Sequence, residues 1–337
     1  MKLVMTLLVR NEADILDAQL AFHLHAGVDF VIAMDNASSD ETREILERYE
    51  RAGYLHLLDE YGGDMRQRQW VTRLARLAAT EFEADWVINS DADEFWWPRG
   101  RTLKDVLELV PDRFGVVRGV WRHFRPRMDG DAFFAERMDV RVSTPSPPGD
   151  KSTIYHAHQK VAHRAHPEVE IEAGNHNAAG PGLEPLRTWH PLEVLHFSLR
   201  STRQIELKSR GGWSRSRGDG MVEHKQELVN AVQAGAADAY FAGAVVSDEE
   251  LAAGLANGTF AVDTRLRDVL RALRTDGGFR LPAADDSLAF PTPSVEDDAA
   301  YAGEVSILAT IDGIPRADER VAALEARLAH LHRLPRR

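Results

Sequence analysis

Residues 2 to 9, Lys-Leu-Val-Met-Thr-Leu-Leu-Val, are apolar on both alternating faces apart from Lys2 and Thr6. That is the pattern of a central parallel strand covered on both sides. Arg10-Asn11-Glu12 forms the turn out of it, and Leu16, Leu20 and Leu24 then recur at helical spacing up to Gly27, which suits a C′ residue. A second strand over Val28–Met34 leads to Asp35-Asn36-Ala37-Ser38-Ser39-Asp40, where Ser38 and Glu41 have the spacing of a capping box for a helix running to about Arg51. Tyr54–Leu58 predicts a third strand, Gly62-Gly63 a loop, and residues 65–83 a long helix with Trp70, Leu74, Leu77 and Ala78 on one side. The fourth strand begins at Trp86.

Strands alternating with helices predict an α/β fold, a doubly wound sheet whose strands end at one common edge. Ligands of such sheets bind at that edge. It collects Arg10, Asn11, Glu12, Asp35, Asp40, Asp91 and Asp93 in one crevice.

The densest chemistry lies in Trp86-Val87-Ile88-Asn89-Ser90-Asp91-Ala92-Asp93-Glu94-Phe95-Trp96-Trp97-Pro98. Trp86, Val87 and Ile88 favour a pleated backbone, and Pro98 stops a regular element. Asp91, Asp93 and Glu94 then fall where a buried strand emerges into a loop. Three neighbouring buried carboxylates repel one another and lose hydration, so a cation is expected to neutralise them. Oxygen ligands without a thiol suit Mg²⁺ or Mn²⁺. Trp96 and Trp97 are expected either to stack on an acceptor sugar or to pack in the core.

Beyond Pro98 the pattern changes. Gly115–Phe124 predicts a strand, Pro145–Gly149 a loop, and residues 154–171 strands of a mixed sheet with His156 and His158 on one face. His163, His166, His176, His190 and His196 complete an unusually histidine-rich stretch. Leu195-His196-Phe197-Ser198-Leu199-Arg200-Ser201 then opens a basic run of Arg200, Arg203, Lys208, Arg210, Arg215 and Arg217. From Met221 the chain is Ala-rich and helical, with a second capping box at Ser247 and Glu250 and a helix over Arg265–Arg274. Residues 282–294 carry Pro282, Pro291 and Pro293 and predict a linker; residues 316–333 predict a last helix, with Val321, Leu324, Leu328 and Leu331 at a/d spacing. Two heptads favour packing on the chain's own body, with self-association into a homo-oligomer as the alternative. The expected domains are 1–215, a helical region 216–281, and 282–337.

Composition narrows the partners. The 337 residues carry 41 Lys and Arg against 53 Asp and Glu, a net charge of −12, which argues against nucleic acid or an anionic membrane. The absence of cysteine excludes disulfides and thiolate zinc sites and fits a cytoplasmic location. Leu3–Val9 is too short to span a bilayer, and no small-residue cleavage site follows it, so neither a transmembrane segment nor a signal peptide is expected.

Asn11-Glu12-Ala13-Asp14, Asp35-Asn36-Ala37-Ser38-Ser39-Asp40, Asp91-Ala92-Asp93-Glu94-Phe95, Gly174-Asn175-His176 and His196-Phe197-Ser198-Leu199-Arg200-Ser201 stand in an order that resembles the glycosyltransferase family 2 superfamily, in its bacterial branch. The resemblance covers roughly residues 1–212. It implies a GT-A fold, a central mixed, mainly parallel sheet flanked by helices, here with a helical C-terminal extension. It also implies a nucleotide-diphosphate sugar donor such as a UDP- or GDP-sugar, a glycan or small-molecule acceptor, and Mn²⁺ or Mg²⁺ as cofactor. Asp35 would bind the base or ribose, Thr6, Arg10 and Glu12 would line the nucleotide pocket, and Asp91 and Asp93 would meet ribose and metal, with His196 as a third metal ligand. Asn11 and Arg66 join the donor-binding candidates. Arg200, Arg203 and Lys208 suit phosphate oxygens. The family's acidic base motif has no match in this chain. For an inverting reaction the base candidates are His176, Asp219 and Glu223, His176 first; Asp93 is the other catalytic candidate.

Two other classes fit part of the pattern. The histidines and carboxylates would suit a metallohydrolase, although no H-E-x-x-H is present, and the sheet would suit a dinucleotide-binding domain, although Arg10-Asn11-Glu12 stands where G-x-G-x-x-G belongs. A binding module without activity is the third.

Overall fold

Alternation along the first strand explains the layers of the computed structural model. In β1 (Leu3–Val9) the side chains of Leu3, Met5, Leu7 and Val9 enter the core beneath α1 (Ala13–His25), while Val4 and Leu8 face α3 (Gln67–Thr80) with Trp70, Leu74 and Ala78. A strand apolar on both faces is stable only when both are covered. The structure describes residues 1–60, 66–99, 102–128, 130, 132–143, 145–146, 150, 152–211, 223–283, 288, 290 and 301–303.

β2 (Phe30–Asp35), α2 (Thr42–Arg51), β3 (Leu55–Asp59) and β4 (Trp86–Ser90) complete the parallel centre, in the order β3-β2-β1-β4. β4 is followed by β5 (Glu94–Pro98), α4 (Leu103–Glu108), β6 (Val116–Arg125), α5 (Phe134–Arg137), β7 (Val140–Val142), β8 (Gln159–Arg164), the pair β9 (Glu170–Ile171) and β10 (Ala178–Ala179), and β11 (Leu192–His196). Then come α6 (Thr202–Gly211), α7 (Glu223–Gln233), α8 (Ala237–Ala244), α9 (Asp248–Asn257), β12 (Phe260–Val262), α10 (Arg265–Leu273) and the hairpin β13 (Arg274–Thr275) and β14 (Gly278–Phe279). Among the described residues the sheet has ten strands: β8 joins β4 antiparallel, β6 and β7 extend it, and β11 lies parallel to β6 and antiparallel to β5. The expected mixed α/β sheet is thus present, parallel at its centre.

Residues 1–292 form one compact unit and 293–337 a second, of which only 301–303 are described. Within the first unit, β12 pairs antiparallel with β7, so the C-terminal helical region adds a strand to the sheet. The expected helix at 316–333 and most of the expected linker lie outside the described residues, as do Gly62-Gly63. No helix among the described residues is long and apolar enough to cross a membrane.

Local signals were unequal guides. Gly27 has φ +107° immediately past the end of α1, a conformation that favours glycine. Ser247 and Glu250 form the expected capping box. Ser38 and Glu41 do not: the Ser38 hydroxyl donates to Asp35 at 2.6 Å, and α2 starts at Thr42. Glu94 is not in a loop but opens β5. Trp96 and Trp97 are core residues, 0% and 1% exposed, which settles their alternative in favour of packing. Residues 154–171 supply only β8 and β9.

Candidate active site

A cavity of about 480 Å³ opens where β1, β2 and β4 end. Arg10 and Glu12 follow β1, Asn36 follows β2, and Asp91 and Asp93 follow β4. His196 ends β11, Trp121 lies on β6, and Lys208 and Lys225 come from α6 and α7.

Backbone pairing brings two of these groups together. β5 and β11 run antiparallel with His196 opposite Glu94, and the Phe197 N–H donates to the Asp93 carbonyl at 2.9 Å. Beneath them, Phe197 stacks on Phe124 with ring centroids 4.4 Å apart and meets Phe95 and Phe134 edge-on. This aromatic floor fixes both strands. His196 Nε2 stands 3.9 Å from Asp93 Oδ1.

Buried cations neutralise the carboxylates. Lys208 Nζ lies 2.8 Å from Glu12 and 2.9 Å from Asp93. Lys160 Nζ donates to Asp91 and lies 3.0 Å from Glu94. Arg200, with no exposed surface, forks onto Asp14 at 2.7 and 2.8 Å, donates to Glu12, and donates to the Phe197 carbonyl at 2.9 Å. Burial alone would raise the Asp93 carboxyl, but Lys208 and Arg200 hold it well below the usual carboxylate range. Burial wins at Glu94, pushed up to about 8 despite Lys160.

The imidazoles can be assigned tautomers by working back from fixed acceptors. A backbone carbonyl only accepts, so the His123 Nε2 that lies 2.8 Å from the His156 carbonyl carries the proton. Burial pushes His123 down to about 4, leaving it neutral with a lone pair on Nδ1. His196 Nδ1, 3.1 Å away, must donate to it. The His196 Nε2 lone pair then faces Asp93 Oδ1 with no hydrogen between them. Two electron pairs so opposed suit a cation. Among the described residues no three His, Cys, Asp or Glu side chains are grouped to hold a metal ion. The pair nevertheless fits one that arrives with a diphosphate, since Mg²⁺ is commonly held by one or two protein ligands plus substrate phosphates.

The remaining wall is aromatic. Trp121 stacks on His196 at 4.4 Å between centroids and meets His123, His156, His158 and His176 within 5.2 to 6.0 Å. Its indole N–H donates to Glu94 at 2.9 Å. His158 and His176 stack face to face at 3.7 Å. Histidine density hinted at this wall; Trp121, Lys160 and Lys225, in unremarkable local sequence, gave no signal.

The other expected residues divide between cavity and scaffold. Arg10 lines the cavity and donates to the Asn36 carbonyl at 3.0 Å. Thr6 is buried against Asn89 at 2.9 Å, off the cavity. Asn11 Oδ1 accepts the Ser39 N–H at 2.7 Å, and Asp35 Oδ1 accepts from Ser38, so both shape the loop beside the cavity rather than its wall. Arg66 is exposed just before α3, beside the lining residue Gln67. Asp91 lines the cavity, with Lys160 and Asn175 on its oxygens. Arg200 is enclosed by carboxylates away from the cavity, and Arg203 is exposed. His176 lines the cavity, but burial pushes it down to about 2, which makes it a weak base. Asp219, Arg215 and Arg217 lie outside the described residues, as do the side chains of Arg210 and Glu223.

Residues 5–114 match the sequence model of glycosyltransferase family 92. The motif resemblance was to family 2, and the two agree on the broader class. No curated protein matches the chain. Among solved structures, TarS residues 1–349 of S. aureus is 14% identical, with 68% of this chain and 69% of that chain covered and a TM-score of 0.32. The same protein in complex with UDP is 12% identical, covering 87% and 100%, with a TM-score of 0.33. Glucosyl-3-phosphoglycerate synthase of Mycobacterium tuberculosis, in complex with Mn²⁺, UDP and glucosyl-3-phosphoglycerate, is 19% identical over 36% of this chain and 44% of that one, with a TM-score of 0.27. Likeness at this level bears on no residue of the cavity.

Neutral buried histidines give the fold an acid limit. Burial pushes His23 and His163 to about 4 and His158 to about 3, against 6.5 in the open chain. The folded values are lowered, so below pH 6.5 the unfolded chain takes up protons that the folded one refuses. Stability is complete above pH 6.5 and falls as the pH drops toward 4. Unfolding free energies from urea titrations at pH 7.5, 6.5 and 5.5 are expected to decline by about 1 kcal/mol per histidine over the last step. A flat series would contradict the buried neutral state.

Proposed function

We propose that the protein transfers a sugar from a nucleotide-diphosphate sugar to an acceptor hydroxyl with the help of Mn²⁺ or Mg²⁺. The observation that carries this is the opposed Asp93 and His196 pair at the C-terminal edge of the sheet, beside Lys208 and Arg10. The family 92 match over the first third of the chain supports the same class.

In the reaction, the bond from the sugar carbon to the diphosphate oxygen breaks and its electron pair leaves with the diphosphate. A metal bound there stabilises that charge as a Lewis acid. Asp93 and His196 would hold it. Arg10 and Lys208 add positive charge to the wall where the phosphates would lie, and Trp121, with His196 stacked on it and Lys160 Nζ 5.4 Å over its ring, fixes the shape of that wall. Asp91, with Lys160, would orient the donor from the other side of Ala92.

The histidines favour this reading over a metallohydrolase. His158 and His176 both engage the Gln159 backbone through Nδ1 and stack on each other, so they build a wall rather than a ligand set. The turn after β1 lacks the glycines of a dinucleotide site.

Thermal shift separates the classes. With UDP or GDP at a hundredfold excess over Kd, a rise of roughly 3 to 8 °C is expected when Mn²⁺ is present and none when it is omitted. Free nucleotide diphosphate should then accumulate with one member of a nucleotide-sugar panel. Stabilisation by NAD, or by zinc alone, would replace this reading.

A further inference from the structure

We propose that His156 is the general base that takes the proton from the acceptor hydroxyl, an inference that rests on the sugar-transfer reading above. In an inverting displacement the acceptor oxygen forms the new bond to the sugar carbon as the diphosphate departs with its electron pair. The hydroxyl proton needs a lone pair within hydrogen-bond reach.

The cavity's carboxylates are poorly placed to supply one. Glu12 and Asp93 share Lys208, and Asp91 is held by Lys160 and Asn175. Among the imidazoles, His196 directs its lone pair at Asp93. His158 Nδ1 accepts the Gln159 N–H at 3.0 Å, which places its proton on Nε2 and makes that atom a donor. His176 gives its Nδ1 proton to the Gln159 carbonyl at 2.8 Å, and its Nε2 rests against Gly174. A Cβ added to Gly174, whose φ is +81°, would lie 2.6 Å from that nitrogen, so the ring's free edge is turned toward backbone.

His156 differs from all three. Its Nδ1 proton goes to the Thr153 carbonyl at 2.9 Å, which leaves the lone pair on Nε2. Its own carbonyl accepts from His123 at 2.8 Å, and its backbone forms an isolated bridge to Ser146 ahead of β8, so the segment that carries the ring is held in place. A backbone carbonyl on Nδ1 also stabilises the ring when Nε2 takes up a proton. The ring lines the cavity 6.0 Å from the Trp121 centroid, while His196 stacks on Trp121 at 4.4 Å. His156 and the cation pair thus flank Trp121 in one cavity, where an acceptor would meet both. Among the described residues, the charged and titratable groups around the ring include Asp150, His123, His158 and His224.

The test uses the full chain with Mn²⁺ and the nucleotide sugar that wild type hydrolyses, water standing in for the acceptor hydroxyl, following diphosphate release. His156→Ala should lower kcat by about 10²- to 10⁴-fold, with donor KM and the UDP and Mn²⁺ thermal shift unchanged. Imidazole at tens of millimolar should restore part of the rate to His156→Ala and none to wild type. His156→Gln, closer in size and polarity, should show the same loss if alanine impairs folding. Turnover of either folded variant within threefold of wild type overturns the proposal. So does a loss of rate that imidazole cannot restore or that brings a lost nucleotide shift. Wild type that neither binds a nucleotide diphosphate nor releases one fails the sugar-transfer reading itself, a result visible before any variant is made.

Discussion

Arg200→Ala is expected to lose about 3 to 5 kcal/mol of stability, the scale on which breaking a buried ion pair from one side is felt. The guanidinium has no exposed surface and serves Glu12, Asp14 and the Phe197 carbonyl together. Its own carbonyl accepts from Arg137 at 2.7 Å. Removing it would leave Glu12 and Asp14 with little but Lys208 for compensation, and would untie the exit of β1 from the exit of β11. Arg200→Lys retains the charge but not the fork, so a smaller loss is expected. A melting curve reads both, with a drop on the order of 10 °C for alanine. Were the alanine variant to melt with wild type while losing affinity for UDP, the arginine would belong to the donor site instead.

Asp93→Asn keeps the volume and one oxygen for Lys208 but not the charge, so the melting temperature is expected to fall, by less than in Arg200→Ala because Glu12 still serves Lys208. Metal-dependent donor turnover should fall about 10³-fold or more, because the cation loses its charged ligand while His196 alone remains. Binding of Mn²⁺ in the presence of UDP, followed by electron paramagnetic resonance, should weaken in parallel, and Asp93→Ala should abolish turnover. Normal turnover in either variant would remove Asp93 from the centre of the site.

What could be read from sequence follows the range of the interactions involved. The first four strands and their helices were legible because each carries its own periodicity, and the position of Asp91 and Asp93 at a strand end came with them. The neutralisation argument was sound about the need for positive charge. It did not reveal that Lys160 and Lys208 meet much of that need, because both arrive from strands and helices far along the chain. Arg200 looked like a phosphate ligand since composition shows only its sign; its enclosure by Glu12 and Asp14 depends on the path of β11. Trp121 has no local mark at all. Ser38 misled for the opposite reason: its oxygen accepts the Asn11 N–H at 3.0 Å while its hydroxyl donates to Asp35, so it ties the loop to the turn after β1 and caps no helix.

The position of β11 has a bearing on synthesis. A nascent chain halted near residue 190 would already hold every acidic residue of the crevice and the strands that present them. It would still lack His196, Lys208 and Arg200, and β5 would have an open edge where β11 belongs. Such a chain has Lys160 for Asp91 and Glu94 but nothing yet for Glu12 and Asp93, whose partners Lys208 and Arg200 are still to come. Closing so distant a pairing is slow, so the interval in which this half-built crevice is exposed is where a chaperone would be needed.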